Sequence, residues 1–374
     1  MAPYNKSRQW LHYLMALLVT TQISTISALA ATARRPLQTI ETTPVVICPG
    51  FGNDQIDYDR PLQQPREAGM IAALERRGFP PDNIFVVPVQ RKDWLRVAGG
   101  LLDWKFYTNE AVPTGGGYGW YITRFRDTVD RAFDECNANS SNSNSGTTTT
   151  SSSSRVLVIG HSAGGWLARA GLGDGVWCAE SNVRTADRIC GLVTVGAIHK
   201  PPKSVAACVT RGALAYTDSS YPGAFLRDEG IGYVSVGGDA IVGDNTKKGD
   251  LDVSEADDVY ATRGEGSASR VAYNSYEAVC GVGNVSGDGV VPLSWTQLEG
   301  SKQIQLEGVF HSINEAGTTI PTDRWYGSEK VIDRWLPIAL EEAGISSKTV
   351  SSNKKNAFDM EGLQKWAAGI FQMQ

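Results

Sequence analysis

The feature that most constrains this sequence is the motif G-H-S-A-G at residues 160–164. An apolar run at residues 155–160, typical of a buried strand, leads into the motif, and a helical segment at residues 163–170 follows it directly. So tight a strand-to-helix turn leaves no room for side chains two residues before or after Ser162, which explains both glycines. The turn also places the Ser162 hydroxyl at the positive end of a helix, so the motif predicts a nucleophilic serine.

The alternation of apolar runs with helical segments predicts the fold class. The run at residues 45–48 is apolar throughout, as in a parallel strand buried on both faces. Because such strands alternate with helices, we expect an α/β fold whose mostly parallel sheet carries helices on both faces. Further strands are predicted at residues 83–89, 155–160, 189–195, 230–237 and 303–309, and helices at residues 62–77, 118–136, 163–170 and 325–343.

The general base is found by elimination among four histidines. His12 lies in the predicted leader, and His161 adjoins the nucleophile and is expected to point elsewhere. Where this motif occurs, the chain order is serine, acid, histidine, and His311 fits it because it lies between the last strand and the closing helix. His199 comes too early for that order, so we favour a structural or substrate-pocket role for it.

Two aspartates compete for the role of the acid that orients the base. Asp288 lies in S-G-D-G-V-V-P, shortly before His311, and Asp239 directly follows a predicted strand. Asp288 is preferred because a glycine-flanked carboxylate at this spacing can reach the imidazole and fix its tautomer.

The oxyanion of a tetrahedral intermediate needs two backbone N–H donors. Ala163, the residue after the nucleophile, is expected to supply one. The loop P-G-F-G at residues 49–52 is expected to supply the other, through Phe51 or alternatively through Gly52. The spacing of this loop excludes a dinucleotide-binding fingerprint, and the predicted chemistry requires neither a metal nor a cofactor.

The chain is expected to contain one catalytic domain, at residues 31–345, between two terminal segments. Residues 1–30 have a basic start, an apolar stretch and an A-x-A-type end, which favours a signal peptide over an uncleaved anchor or an organelle presequence. Within the domain, residues 139–154 predict a disordered low-complexity loop, and residues 239–287 suit a lid. The tail at residues 346–374 has apolar residues at near-helical spacing, suited to docking on the domain or to peripheral membrane contact.

The composition bears on location and partners. A signal peptide directs the chain into the secretory pathway, to the exterior or the ER lumen, or to a plastid where the organism uses that route. A formal net charge of −5 leaves no basic excess, so nucleic acid is not expected as a partner. The six cysteines form no C-x-x-C motif, which gives no support for zinc, and export permits one or two disulfides. Nothing in the sequence indicates an oligomeric state.

Four motifs resemble a lipase-like group of α/β-hydrolases from plants, algae and cyanobacteria: GHSAGGWLAR (160–169), DWLRVAGGLLD (93–103), GDGVVP (287–292) and RWYGS (324–328). The resemblance spans residues 44–340 and implies the α/β-hydrolase fold with a lid or cap insertion. The acid loop is similar to that of bacterial triacylglycerol lipases, in which the aspartate matching Asp288 is catalytic. Pro49 departs from the histidine that lipases commonly carry before this glycine.

A further element, GAIHKPP at residues 196–202, is similar to one in the inositol-deacylases that act on glycolipid anchors. Ala197 and Ile198 replace the usual threonine and proline there, so the similarity is partial.

Together these features predict a lipase- or esterase-like serine carboxylester hydrolase that cleaves an acyl ester. A lipid ester is the favoured substrate class. The alternatives with the same triad are an inositol-deacylase-like enzyme, a small-ester esterase, a thioesterase and an acyltransferase. A non-enzymatic binding protein is disfavoured because Ser162, Asp288 and His311 are all present in the expected order. Six apolar residues are expected to line an acyl site or to pack within a cap: Trp94, Leu95, Leu101, Leu102, Trp104 and Phe106.

Overall fold

The computed structural model describes residues 38–143, 153–173, 184–202, 208–246, 265–314 and 320–346. The predicted signal peptide, most of the low-complexity loop, part of the predicted lid and the tail beyond residue 346 lie outside the described residues. Cys178 also lies outside them, whereas Cys48, Cys208 and Cys280 are buried thiols.

A central sheet of six parallel strands organises the described part of the chain. Its spatial order is β2-β1-β3-β4-β5-β6, which confirms the predicted α/β arrangement with a mostly parallel sheet. The chain passes from β1 to β2 on one side of the sheet and from β3 to β4 on the other, so the strand order reverses between the neighbours β1 and β3. Ligands of such sheets bind at the carboxyl ends of the strands at this point. The strands are β1 (Val45–Cys48), β2 (Ile84–Val86), β3 (Val156–His161), β4 (Ile189–Val195), β5 (Gly232–Asp239) and β6 (Lys302–Glu307). Two short ladders lie outside this sheet: Gln38–Thr39 pairs with Ile345–Ser346, and Ile241–Val242 pairs with Ser286–Gly287.

Helices cover both faces of the sheet, as the apolar strands require. Because side chains alternate along a strand, Val46 and Cys48 of β1 enter one apolar core, while Val45 and Ile47 enter the other. The α-helices are α1 (Met70–Glu75), α2 (Trp104–Tyr107), α3 (Gly119–Ser143), α4 (Ala163–Gly173), α5 (Ala213–Ser220), α6 (Glu265–Cys280), α7 (Leu293–Thr296) and α8 (Glu329–Glu342). Helices α3, α4 and α5 pack on the first face, and α1 and α8 on the second. The 3-10 helices are Ile40–Thr42, Gln55–Tyr58, Pro61–Gln63, Arg66–Ala68, Pro81–Asn83, Arg91–Leu102 and Thr185–Arg188.

Two segments differ from the sequence prediction. The helix expected at residues 62–77 is confined to α1, because Leu62 and Gln63 have positive φ and Pro65 disfavours helical backbone before it. The long loop expected at residues 239–287 contains helix α6. Its Ala272, Tyr276 and Cys280 are buried at a spacing of four residues, a helical signal that the many glycines, serines and aspartates of this segment obscured.

None of the described helices is both long and apolar enough to cross a membrane.

Candidate active site

Ser162 lies on the turn between β3 and α4, at the point where the strand order reverses. Its φ is 52°, a strained value for a residue with a side chain. A Cβ on Gly160 would lie 2.5 Å from the Cα of Gly165, and a Cβ on Gly164 would lie 2.2 Å from the carbonyl oxygen of Cys48. Both glycines of the motif are therefore needed for close packing around the serine.

The structure brings the three residues of the predicted triad into contact. The Oγ of Ser162 lies 2.9 Å from Nε2 of His311, and Nδ1 of His311 lies 2.8 Å from Oδ2 of Asp288. An ionised carboxylate only accepts hydrogen bonds, so Nδ1 carries the proton and the lone pair of Nε2 faces the serine hydroxyl. This is the tautomer that a general base for Ser162 requires.

The carboxylate of Asp288 is buried yet fully satisfied by hydrogen bonds. Its Oδ1 accepts from the amides of Val290 (3.0 Å) and Val291 (2.7 Å), while Oδ2 accepts from His311 and from the hydroxyl of Tyr326 (2.8 Å). Four donors thus replace the water that burial removes, and they fix the plane of the carboxylate.

The rival acid, Asp239, is engaged elsewhere. Its carboxylate accepts from the Ser286 hydroxyl and, over 3.1 Å, from the Gln305 amide. Asp239 therefore links Gln305 of β6 to Ser286, at the start of the loop that carries Asp288. Of the two aspartates, Asp288 is the one that contacts His311.

Tyr326 is a member of the site to which the sequence analysis assigned no role. Its hydroxyl accepts from the amide of Gly238 over 2.6 Å while it donates to Asp288. Burial, together with the Asp288 charge, raises the pKa of Tyr326 well above its ordinary value, so the hydroxyl keeps its proton and remains a donor. The available signal was the R-W-Y-G-S motif, which identified the tyrosine without indicating its partner.

Helix α6 supports the acid loop from the other side. The hydroxyl of Tyr276 accepts from the amide of Gly289, next to Asp288, and donates to the carbonyl of Ile241 over 3.0 Å. The described end of the segment predicted as a lid therefore supports the loop of Asp288, while residues 247–264 of that segment lie outside the described residues.

His161 is the centre of a second buried hydrogen-bond network behind the triad. Its Nδ1 accepts from the Tyr58 hydroxyl (2.8 Å), which in turn accepts from the Gly50 amide (3.1 Å). Its Nε2 donates to the backbone carbonyl of His311 (2.9 Å). Burial, with the adjacent His311, lowers the pKa of His161 to about 3, so the ring stays neutral and can accept and donate at once. This network, which we call the His161 relay, joins the loop after β1 to the turn of the nucleophile and to the loop of the base.

Of the two predicted oxyanion donors, Ala163 directly follows Ser162 in the chain, and Phe51 directly follows Gly50. Ala163 is the first residue of α4, and Gly50, which precedes Phe51, packs so closely that a Cβ there would lie 2.7 Å from Cβ of Ser162. Within the described ranges, neither the Phe51 amide nor the Ala163 amide donates to another atom of the chain. Both N–H groups therefore have no hydrogen-bond partner among the described residues, as donors to an oxyanion would need to be before substrate binds.

For His199 the sequence left open a structural or a substrate-pocket role. Its Nε2 lies 2.9 Å from the Thr194 hydroxyl, and its carbonyl accepts from Arg169 over 3.3 Å. Burial, and then the Arg169 charge, lower the pKa of His199, so its ring remains neutral, and these buried contacts fit a structural role.

A surface cavity of about 530 Å³ lies between the turns around Pro61 and the start of α8. No triad residue lines this cavity, so it is separate from the chemistry described here. Among the described residues, no cluster of three or more histidine, cysteine or acidic side chains could hold a metal ion.

Comparison of the sequence with protein-family models and with curated proteins found no match.

Proposed function

We propose that this protein is a serine carboxylester hydrolase with the α/β-hydrolase fold, lipase- or esterase-like. The observation that carries the proposal is the hydrogen-bonded line from Ser162 through His311 to buried Asp288, with distances of 2.9 and 2.8 Å. The parallel sheet and the strained turn at its carboxyl edge support it, because this is the setting in which such a serine is used as a nucleophile.

The proposed reaction proceeds by acylation and deacylation of Ser162, with His311 carrying the proton in both steps. Ser162 Oγ attacks the ester carbonyl carbon as its proton passes to Nε2 of His311, and Asp288 stabilises the imidazolium formed. The carbonyl oxygen becomes an oxyanion held by the amides of Phe51 and Ala163. The C–O bond to the alcohol then breaks, and the alcohol leaves with the proton from His311. Water repeats the sequence on the acyl-enzyme: it gives a proton to His311, releases the acid and returns the proton to Ser162.

A lipid ester is the preferred substrate class. The support is the exposed aromatic ring of Phe51, the residue after Gly50, which packs directly on Ser162, since such a surface favours an acyl chain over a polar group. A series of p-nitrophenyl esters of increasing chain length tests this choice. A rate that rises with chain length agrees with a lipid substrate, whereas a maximum at acetate favours a small-ester esterase.

Labelling with a fluorophosphonate probe tests the triad itself. We expect the purified protein to be labelled, Ser162→Ala to be unlabelled, and Asp288→Asn and His311→Ala to be labelled far more slowly. Ser219→Ala, at an exposed serine of α5, is the matched control and should label like the parent. A folded parent protein that takes up no label in buffer or in lipid micelles would contradict the proposed function.

A further inference from the structure

The segment at residues 91–107 is held firmly on the domain although its outer side is apolar. The ring of Trp94 packs on those of Trp120 and Tyr121, both with centroids 5.4 Å away. Asp93 accepts from Arg124 over 2.7 Å, and this bond is the main cause that lowers the pKa of Asp93 to about 2. The outer surface of the segment is therefore a fixed feature of the domain.

The exposed residues follow the period of the 3-10 helix Arg91–Leu102, in which residues three apart lie in one row. The row of Trp94, Val97 and Gly100 faces the domain, and the row of Lys92, Leu95, Ala98 and Leu101 faces solvent. We call Leu95, Ala98, Leu101, Leu102 and Trp104 the apolar ridge. Leu95 is 76% exposed, Leu101 51%, Leu102 95% and Trp104 77%, which is unusual for side chains of this size in one short segment.

The apolar ridge continues to the catalytic serine. Phe51 is 63% exposed, and its ring centroid lies 5.0 Å from that of Trp94, at the base of the ridge. Gly50, the residue before Phe51, packs directly on Ser162. A chain of apolar contacts therefore runs from the ridge to the oxyanion loop.

The charges around the apolar ridge indicate what covers it. Arg91 and Arg96 pair with aspartates, whereas the exposed ammonium groups of Lys92 and Lys105 form no ion pair with any described residue. The segment also holds Asp103, which caps α2 by accepting from the Lys105 amide over 3.0 Å and forms no ion pair with a described residue. The two lysines leave a net positive charge beside leucines and a tryptophan, which matches a bilayer surface with anionic headgroups above acyl chains. A second copy of the chain fits less well, because a twofold interface would place the same net positive surface against itself.

We propose that the apolar ridge inserts into the surface of an anionic phospholipid bilayer, with Lys92 and Lys105 at the headgroups and Ser162 held near the interface. The proposed partner of the hydrolase is therefore a membrane surface. The link between membrane binding and catalysis rests on the proposed function, whereas membrane binding itself is measured without turnover.

Co-sedimentation of the purified protein with vesicles tests the proposal. We expect binding to phosphatidylcholine vesicles that contain phosphatidylglycerol, weaker binding to pure phosphatidylcholine, and a decrease with added salt. Leu95→Ser combined with Leu101→Ser should lower the partition coefficient at least about tenfold on both vesicle types. Lys92→Glu should lower it about fivefold or more on the anionic vesicles alone. Val282→Ser, at an exposed apolar residue outside the segment, is the matched control.

Three results would overturn the proposal: no binding by the parent protein, binding by the double variant equal to that of the parent, or a dimer in size-exclusion chromatography that the double variant abolishes. Fluorophosphonate labelling of each variant in micelle-free buffer shows whether Ser162 remains in place. If the parent protein binds vesicles but is not labelled, the proposed hydrolase function is wrong while the proposed membrane binding stands.

Discussion

Tyr326 and His311 donate to the same oxygen of Asp288, Oδ2, each over 2.8 Å. The tyrosine approaches from the start of the segment that leads into α8, while the histidine approaches from the loop after β6. Two residues thus hold the same oxygen of the carboxylate. If the carboxylate rotates away from the imidazole, it also loses its hydrogen bond from Tyr326. We infer that Tyr326 is a positioning residue that acts through Asp288.

Removing the Tyr326 hydroxyl should weaken catalysis more than substrate binding. We expect Tyr326→Phe to lower kcat about tenfold with little change in KM, because one hydrogen bond to a buried charge is worth about 1.5–3 kcal/mol. Steady-state kinetics on the preferred ester measures this, with Tyr216→Phe as the control at a half-exposed tyrosine. An unchanged kcat would show that the two amides and His311 orient Asp288 without help.

The His161 relay should position both the base and the oxyanion loop. His161→Leu removes the donor to the His311 carbonyl and the acceptor for Tyr58, and should slow fluorophosphonate labelling at least about tenfold. His161→Gln supplies one amide, whose NH2 can donate to the His311 carbonyl and whose oxygen can accept from Tyr58, and it should recover part of the rate. Equal rates for the two variants, in protein shown to be folded, would mean that the ring only fills space.

The same histidine makes stability depend on pH. The folded pKa of His161 is lowered to about 3 by burial, whereas the unfolded value is about 6.5, so the unfolded chain binds more protons between these limits. The free energy of unfolding therefore rises with pH across this window and is lost on acidification, by at most about 1.4 kcal/mol per pH unit from His161.

Urea unfolding at several pH values from 5 to 7 tests this linkage, in a range where most carboxylates are already ionised. The slope of unfolding free energy against pH should be smaller in His161→Gln than in the parent. His199, whose pKa is also lowered by burial, adds a contribution of the same sign that remains in the variant. Identical slopes would show that folding does not lower the pKa of His161.

The second glycine of the motif should tolerate no side chain. Gly164→Ala places a Cβ 2.2 Å from the carbonyl oxygen of Cys48, in backbone that cannot yield without moving β1. We expect a loss of about 3 kcal/mol or more in the free energy of unfolding. Gly281→Ala, with φ of 82° and no heavy atom within 4 Å, is a control for backbone strain alone and should cost about 1 kcal/mol. Similar losses for both variants would contradict the close packing.

The sequence was sufficient to predict the α/β layering, and the three residues it selected as a triad lie in contact in the structure. Strand β4 has the predicted bounds and β1 is confirmed at Val45–Cys48, because a fully apolar run bounded by turn residues has few alternatives to a buried strand. Ser162, His311 and Asp288 could be selected because histidines are few and the chain order of the three is fixed by the topology of the sheet.

The neighbours of the triad were decided only by the tertiary structure. Tyr326 and Gly238 meet at Asp288, and Tyr58 meets His161, across separations of 38 residues or more. No local pattern reports such contacts, since they arise when two distant loops are brought to one edge of the sheet.

Which side chains of residues 91–107 are exposed to solvent could also be known only from the tertiary structure. In the sequence, Leu95, Leu101, Leu102 and Trp104 are indistinguishable from core residues, and lining an acyl site or packing within a cap were the two expectations. A 3-10 helix directs every third residue the same way, and packing Trp94 inward turns the leucines outward. The sequence by itself determined the layers and singled out three residues that the structure brings into contact. The three-dimensional packing decided which polar groups support the triad and which apolar groups face solvent, because both depend on what lies across the sheet edge from each residue.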